Sequence, residues 1–63
     1  MKRRKGLTAA RERADLSQAD VAKKLGVTPS TVAGLELGTH GIRLANLTKL
    51  ARLLGAEIVE LVA

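Results

Sequence analysis

The stretch from Leu16 to Gly38 reads LSQADVAKKLGVTPSTVAGLELG and contains two helix starts, each followed by a helix stop. Ser17 can accept a hydrogen bond from the backbone N–H of Asp20, and the Asp20 carboxylate can return one to Ser17, which is a capping-box pattern. A carboxylate in the first turn also suits the positive end of the helix dipole. Gly26 can adopt the left-handed conformation that ends a helix. The first helix is therefore predicted between Ser17 and Gly26.

The second helix start follows three residues later. Thr28 is a favoured capping residue, and Pro29 at the first helical position loses no hydrogen bond that the helix could have made. Gly38 ends the pattern, which predicts a helix over 29–37. Two short helices joined by a link at 26–28 have the proportions of a helix-turn-helix.

The remaining chain also predicts helices. Apolar residues recur at helical spacing in short blocks separated by Gly or Asp, which indicates several short helices and essentially no sheet. The 63 residues include no aromatic side chain, so the core must be built from aliphatic ones in a single domain, 1–63. The basic residues 1–5 are expected to form a flexible arm. The last segment, AEIVELVA at 56–63, fits a helix, and a strand is the alternative because β-branched residues favour strands.

The charge is concentrated at one end of the chain. Residues 1–24 contain eight basic and three acidic side chains, residues 25–63 contain three of each, and the net charge is +5. This asymmetry favours a polyanionic partner, with nucleic acid preferred over a membrane surface. The absence of Cys and of a long apolar run indicates a cytoplasmic protein with no disulfide, thiolate metal site or membrane span. No nucleophile, base and orienting group cluster in the sequence, so neither an enzyme nor a cofactor is expected.

Leu16 to Gly38 resembles the lambda-repressor-like helix-turn-helix family, which includes the Cro and phage-repressor (XRE-type) proteins. The matching pattern is L-[ST]-Q, an aliphatic residue and Ala, then G-V-[ST], an aliphatic residue, and [IL]-E-x-G. The resemblance implies an all-α, compact five-helix domain whose helices 2 and 3 form the helix-turn-helix, with the third helix in the DNA major groove. It also implies an ion pair between Arg11 and Glu36, and a Gln18 that contacts phosphate and braces the third helix.

The outward face of helix 29–37 carries few groups that can read a base. With Val32 at the centre of the buried side, the helical repeat turns Ser30, Ala33, Gly34 and Leu37 outward. Only Ser30 and Thr31 can hydrogen-bond to a base edge, so direct readout is expected to be thin. Small residues would let the helix lie deeply in the groove, and Gly34 would permit close approach between the helix backbone and the DNA. The alternative is that this face is a protein-binding or vestigial surface. The DNA-binding residues expected on or beside this helix are Thr28, Pro29, Ser30, Thr31, Ala33, Gly34 and Leu37.

Other residues are expected to hold the DNA backbone. The basic arm and the loop that follows the third helix can supply the contacts, and their salt dependence should be steep. A lone histidine without Cys or a carboxylate pair beside it is a poor metal ligand or catalytic acid-base. The expected backbone-binding residues are Lys2, Arg3, Arg4, Lys5, Thr39, His40 and Arg43.

Three functions fit the sequence. A DNA-binding transcriptional regulator, and a repressor in particular, is preferred; the alternatives are the antitoxin of a toxin–antitoxin pair, and a protein-interaction or engineered scaffold with weak DNA binding. A strand near the end of the chain would favour the antitoxin. The C-terminal helices carry more apolar residues than one small core needs, which predicts a homodimer, or else a docking place for a toxin or a second domain. The surplus residues are Leu53, Val59, Leu61 and Val62.

Overall fold

The computed structural model describes residues 3–63, which fold into five helices and contain no strand. The helices are α1 (Lys5–Arg13), α2 (Gln18–Leu25), α3 (Pro29–Leu37), α4 (Leu44–Leu54) and α5 (Ile58–Leu61). The prediction of an all-α chain is thus confirmed, and residues 58–61 of the last segment form the preferred helix and not the alternative strand.

The capping residues of α2 and α3 act as the sequence predicts. Asp20 N–H donates to Ser17 Oγ at 3.0 Å, and Ser17 N–H donates to Asp20 Oδ2 at 2.9 Å. The bond from the Ser17 backbone N–H to the carboxylate lowers the pKa of Asp20, and hydrogen bonding by the Ser17 side chain lowers it further. Gly26 ends α2 with a left-handed φ of 72°, and the Thr28 hydroxyl accepts from Thr31 N–H at 3.3 Å to begin α3. Local signals therefore fix the corner between the two helices.

The core is aliphatic and receives side chains from all five helices. Leu61 of the short α5 is fully buried between α1 and α4, both of which α5 contacts. Gly6 permits the close approach of α1 to α5, since a β-carbon there would lie 3.0 Å from the carbonyl carbon of Glu60. The buried apolar residues are Leu7, Ala10, Val21, Ala22, Leu25, Val32, Leu35, Leu50, Leu54 and Leu61.

Arg4 and Lys5 differ from the flexible arm that the sequence predicts over 1–5. Lys5 begins α1, and the backbone N–H of Arg4 donates to the carbonyl of Glu36 at 2.8 Å. The carbonyls at the end of α3 need donors, and the chain just before α1 supplies one. Arg4 is therefore part of the folded domain, whereas Lys2 lies outside the described residues.

Candidate nucleic-acid interface

Glu36 fixes the position of α3 from its buried side. The residue is 6% exposed, and its Oε2 accepts from Arg11 Nε at 2.5 Å. Its Oε1 accepts from Thr8 Oγ1 at 2.9 Å and from Gln18 Nε2 at 3.1 Å. The structure thus brings Arg11 and Glu36 together, and one carboxylate joins α1, α2 and α3.

The hydrogen bonds keep Glu36 ionised despite its burial. Burial alone would raise the pKa of this carboxyl, but the bonds from Arg11, Gln18 and Thr8 together outweigh it and hold the pKa below its ordinary value of 4.5. The hydrogen bond to Glu36 likewise raises the pKa of Arg11. Two opposite charges are therefore present inside the domain at neutral pH, and the back of α3 is fixed by a charge-assisted network.

Gln18 lies at the start of α2 and braces α3 through Glu36. Its amide nitrogen carries two hydrogens, of which the bond to Glu36 uses one. The second hydrogen and the free backbone N–H groups of the first turn of α2 are suited to a phosphate oxygen. The bracing contact is present in the structure, and the phosphate contact stays a prediction.

Three hydroxyl groups cluster at the N-terminus of α3. Thr28 Oγ1 lies 3.2 Å from Ser30 Oγ and 3.0 Å from Thr31 Oγ1, within hydrogen-bonding distance of both. Thr28, Pro29 and Ser30 are exposed, and Thr31 is half-buried. Hydroxyls at a helix N-terminus are common partners of DNA phosphates, so this end of α3 is suited to positioning the helix on a duplex.

The outward face of α3 differs from the expectation at Gly34. Ser30 and Leu37 are exposed and Ala33 is half-buried, but Gly34 is buried. The ring of His40 covers it: a β-carbon built on Gly34 would lie 2.7 Å from His40 Nε2 and 3.0 Å from His40 Cγ. Gly34 therefore does not offer an open notch for DNA, because the loop after α3 already occupies it.

The backbone after α3 folds back over the last turn of the helix. The carbonyl of Gly34 accepts from the backbone N–H of Gly38, Thr39 and His40 at 3.0, 3.0 and 3.3 Å. The Thr39 hydroxyl donates to the same carbonyl at 3.2 Å. Thr39, expected to bind phosphate, thus uses its hydroxyl hydrogen within the protein.

Arg4 holds the same loop from the N-terminal side. Its Nη1 donates to the carbonyls of Leu35 and His40, both at 2.7 Å. A cation at the C-terminal end of α3 also complements the negative end of the helix dipole. Arg4 thus has a structural role that the sequence does not predict, and its Nη1 donates to two backbone carbonyls.

Three of the cations that are expected to hold the DNA backbone are accessible to solvent. Arg3, Lys5 and Arg43 are all exposed, and Arg43 is the residue just before α4.

Within residues 3–63, no group of three His, Cys, Asp or Glu side chains could hold a metal ion. In the same part of the chain, no helix combines the length and apolar character needed to cross a membrane.

Besides the Arg4 bonds, two further contacts at the site are not predicted from the sequence. Thr8 lies three residues before Arg11 on α1, and this spacing on one helical face is the signal that could have indicated a second donor to Glu36. The His40 ring over Gly34 has no such local signal, because it depends on the path of the loop.

Comparison with known proteins points to one family. A family model described as helix-turn-helix matches residues 7–61, which extend from within α1 to the end of α5. No curated protein and no solved structure matches the chain significantly.

Proposed function

Because the chain belongs to the lambda-repressor-like helix-turn-helix family of DNA-binding regulators, we propose that it represses transcription by laying α3 in the major groove. The observation that supports this role is the asymmetry of α3. Its inner side is fixed by the Glu36 network, while Ser30 and Leu37 on its outer side are exposed. A helix whose inner side is fixed and whose outer side carries exposed residues is suited to bind in the major groove.

In this proposal, contacts to the DNA phosphates supply most of the affinity for the duplex. Arg3, Lys5 and Arg43 contribute exposed positive charge, and Gln18 offers the remaining hydrogen of its amide. Each phosphate that such a cation neutralises changes the slope of log affinity against log salt by about −0.9. Affinity should therefore be strongly salt-dependent, while the small side chains of α3 keep base discrimination low.

Selection from a random duplex library at two salt concentrations tests the proposal. We expect enrichment of a short shared sequence and a steep loss of affinity as salt rises. Failure to bind any duplex at low salt would contradict the proposal.

A substitution of Arg43 tests the contacts to the DNA phosphates more specifically. Arg43→Ala should weaken binding to all sequences by a similar factor and make the salt slope shallower by about 0.9. Arg52→Ala is the matched control, because Arg52 is also exposed but lies in the last turn of α4, at the opposite end of that helix from Arg43. Equal effects of the two substitutions would argue against a specific contact by Arg43.

We further propose that the protein acts as a homodimer joined through α5. The support is apolar exposure: Ile58, Val59 and Val62 are 42%, 72% and 52% exposed. A toxin or a second domain could cover the same surface. Residues 58–61 are helical, so the strand that would favour the antitoxin alternative is not part of this segment.

A further inference from the structure

We propose that His40 is a specificity-determining residue that reads a guanine in the major groove, where its imidazole replaces the long polar side chain that α3 lacks. This inference rests on the proposed DNA-binding role of α3. It differs from the sequence expectation, in which His40 contacts phosphate from the flank of the helix. The two roles are separable by experiment, because base contacts change sequence preference whereas phosphate contacts change affinity uniformly.

The ring of His40 lies over Gly34, on the outward face of α3. Gly34 follows Ser30 by four residues, so the two lie on one stripe of the outward face, one turn apart. The His40 atoms nearest to a β-carbon on Gly34 would be Cδ2, Nε2 and Cγ. Nδ1 lies on the opposite edge of the ring and is farther from that β-carbon than these three atoms are. The ring stands where a side chain at position 34 would otherwise stand.

The backbone around His40 is held on both sides. Its N–H donates to the Gly34 carbonyl at 3.3 Å, and its carbonyl accepts from Arg4 Nη1 at 2.7 Å. Restraints on both peptide groups limit the region that the side chain can reach. Such preorganisation lowers the cost of fixing a reading group when DNA binds, and it makes Arg4 a positioning residue for His40.

The chemistry of the ring fits an acceptor on a base edge. An imidazole N–H is a donor, and guanine presents two neighbouring acceptors, N7 and O6, to the major groove. Glu36 is the sole acidic residue in the segment 28–43, and its oxygens already accept from Arg11, Thr8 and Gln18. No carboxylate of α3 or of the following loop therefore competes for the His40 donor.

Site selection with the full chain and four variants tests this assignment. His40→Ala should lose discrimination at one base pair of the selected site, by about fivefold or more, with an unchanged salt slope. Gly34→Ala should lose the same preference, because the new methyl group displaces the ring. The double variant should match either single variant, because both act on one contact. Gly41→Ala is the control, since a β-carbon there would meet nothing within 4 Å.

The outcomes separate this inference from the function on which it rests. If the parent chain selects a site and His40→Ala selects the same site with the same preferences, the reading role is excluded while the DNA-binding function stands. A uniform loss of affinity for all sequences in His40→Ala would assign His40 to phosphate instead. If the parent chain binds no duplex, both conclusions fall. Far-UV circular dichroism of each variant establishes that all of them remain folded.

Discussion

Glu36 shows how a single residue sets the orientation of the recognition helix. Its carboxylate is almost completely buried, yet every donor it needs is present: a guanidinium, an amide and a hydroxyl. Removing one partner of a buried charge pair is more costly than the pair's net contribution, because the other charge is left without compensation. The free energy of unfolding of a domain this size is expected to be about 3 to 9 kcal/mol, so loss of one partner of Glu36 would remove a large part of it.

The lowered pKa of Glu36 predicts how stability depends on pH. The folded state holds the proton of Glu36 less tightly than the unfolded state does, so its stabilising contribution is complete above the ordinary value of 4.5 and is lost as pH falls below it. Asp20 adds a loss of the same sign below 3.8. Glu36→Gln should lower the free energy of unfolding by about 3 kcal/mol at pH 7 and leave a weaker acid dependence. Urea unfolding followed by circular dichroism from pH 7 to pH 3 would measure both effects.

The control for this prediction is Glu12→Gln, which alters an exposed carboxylate on α1. Its free energy of unfolding at pH 7 should lie within about 0.5 kcal/mol of that of the parent chain. A Glu36→Gln profile that falls as steeply as the parent profile would show that Glu36 does not carry the linkage.

Arg4 and Arg3 form a natural pair for a second test. Arg4→Ala removes two charge-assisted bonds to the carbonyls of Leu35 and His40, and should destabilise the domain by about 2 kcal/mol. Arg3 is exposed, and Arg3→Ala should change stability by less than about 0.5 kcal/mol. Thermal unfolding of both variants under one condition compares them directly. Equal melting temperatures would show that the Arg4 bonds do not persist in solution.

At the scale of the element, α3 has a well-specified N-terminus but a residue of low helix propensity in its interior. Thr28 and Pro29 specify where the helix begins, whereas Gly34 disfavours helix by about 1 kcal/mol relative to Ala. The His40 ring over Gly34 and the convergence of donors on the Gly34 carbonyl offset that weakness. The helix thus depends on its neighbours near its C-terminal end more than on its own propensity.

The start of α3 should be sensitive to loss of its cap. Thr28→Ala removes the side-chain acceptor for Thr31 N–H, which also donates to the Thr28 carbonyl, and should destabilise the domain by about 1 kcal/mol. Thr48→Ala is the matched control: Thr48 lies inside α4 and its hydroxyl donates to the Leu44 carbonyl of the same helix. That change should be neutral or slightly stabilising, because Ala is the better helix former. Chemical unfolding of the two variants would check the difference, and equal losses would argue against a capping role for Thr28.

At the scale of the whole molecule, the size of the domain suits a dimer on DNA. Its backbone extends 25 × 23 × 21 Å, so one copy is narrower than one turn of B-DNA, about 34 Å, and two copies can occupy successive turns without overlapping. The exposed residues of α5 provide an apolar surface for self-association, although four residues alone make a small contact. A weak, concentration-dependent dimer that DNA stabilises is the expected behaviour.

Val59 is the residue to change in order to test the dimer. Val59→Asp should shift sedimentation toward the monomer at high concentration, because a charge would be buried in the contact. Leu44→Asp is the control, since Leu44 is similarly exposed, at 74%, but begins α4 rather than lying on α5. A parent chain that sediments as a monomer at all concentrations would contradict the proposal.

The sequence predicts this fold well where its determinants are local. The bounds of α2 and α3 follow from capping residues and glycines within three or four positions of each helix end. The Arg11–Glu36 contact follows from the resemblance. By contrast, the bonds of Arg4 join residues 31 and 36 positions apart, and the His40 ring reaches Gly34 only because the loop turns back. No periodicity or capping signal in the sequence indicates such contacts, so only the three-dimensional structure reveals them.

The Glu36 network also has a consequence for the lifetime of the native state. Its donors from Gln18, Arg11 and Thr8 are 18, 25 and 28 positions away, so the chain must close three long loops before the carboxylate is fully shielded. Closing long loops costs entropy, and the locally capped helices can form without it. The network is therefore expected to assemble after the folding transition state. Glu36 would then govern how slowly the domain unfolds while leaving the speed of folding nearly unchanged.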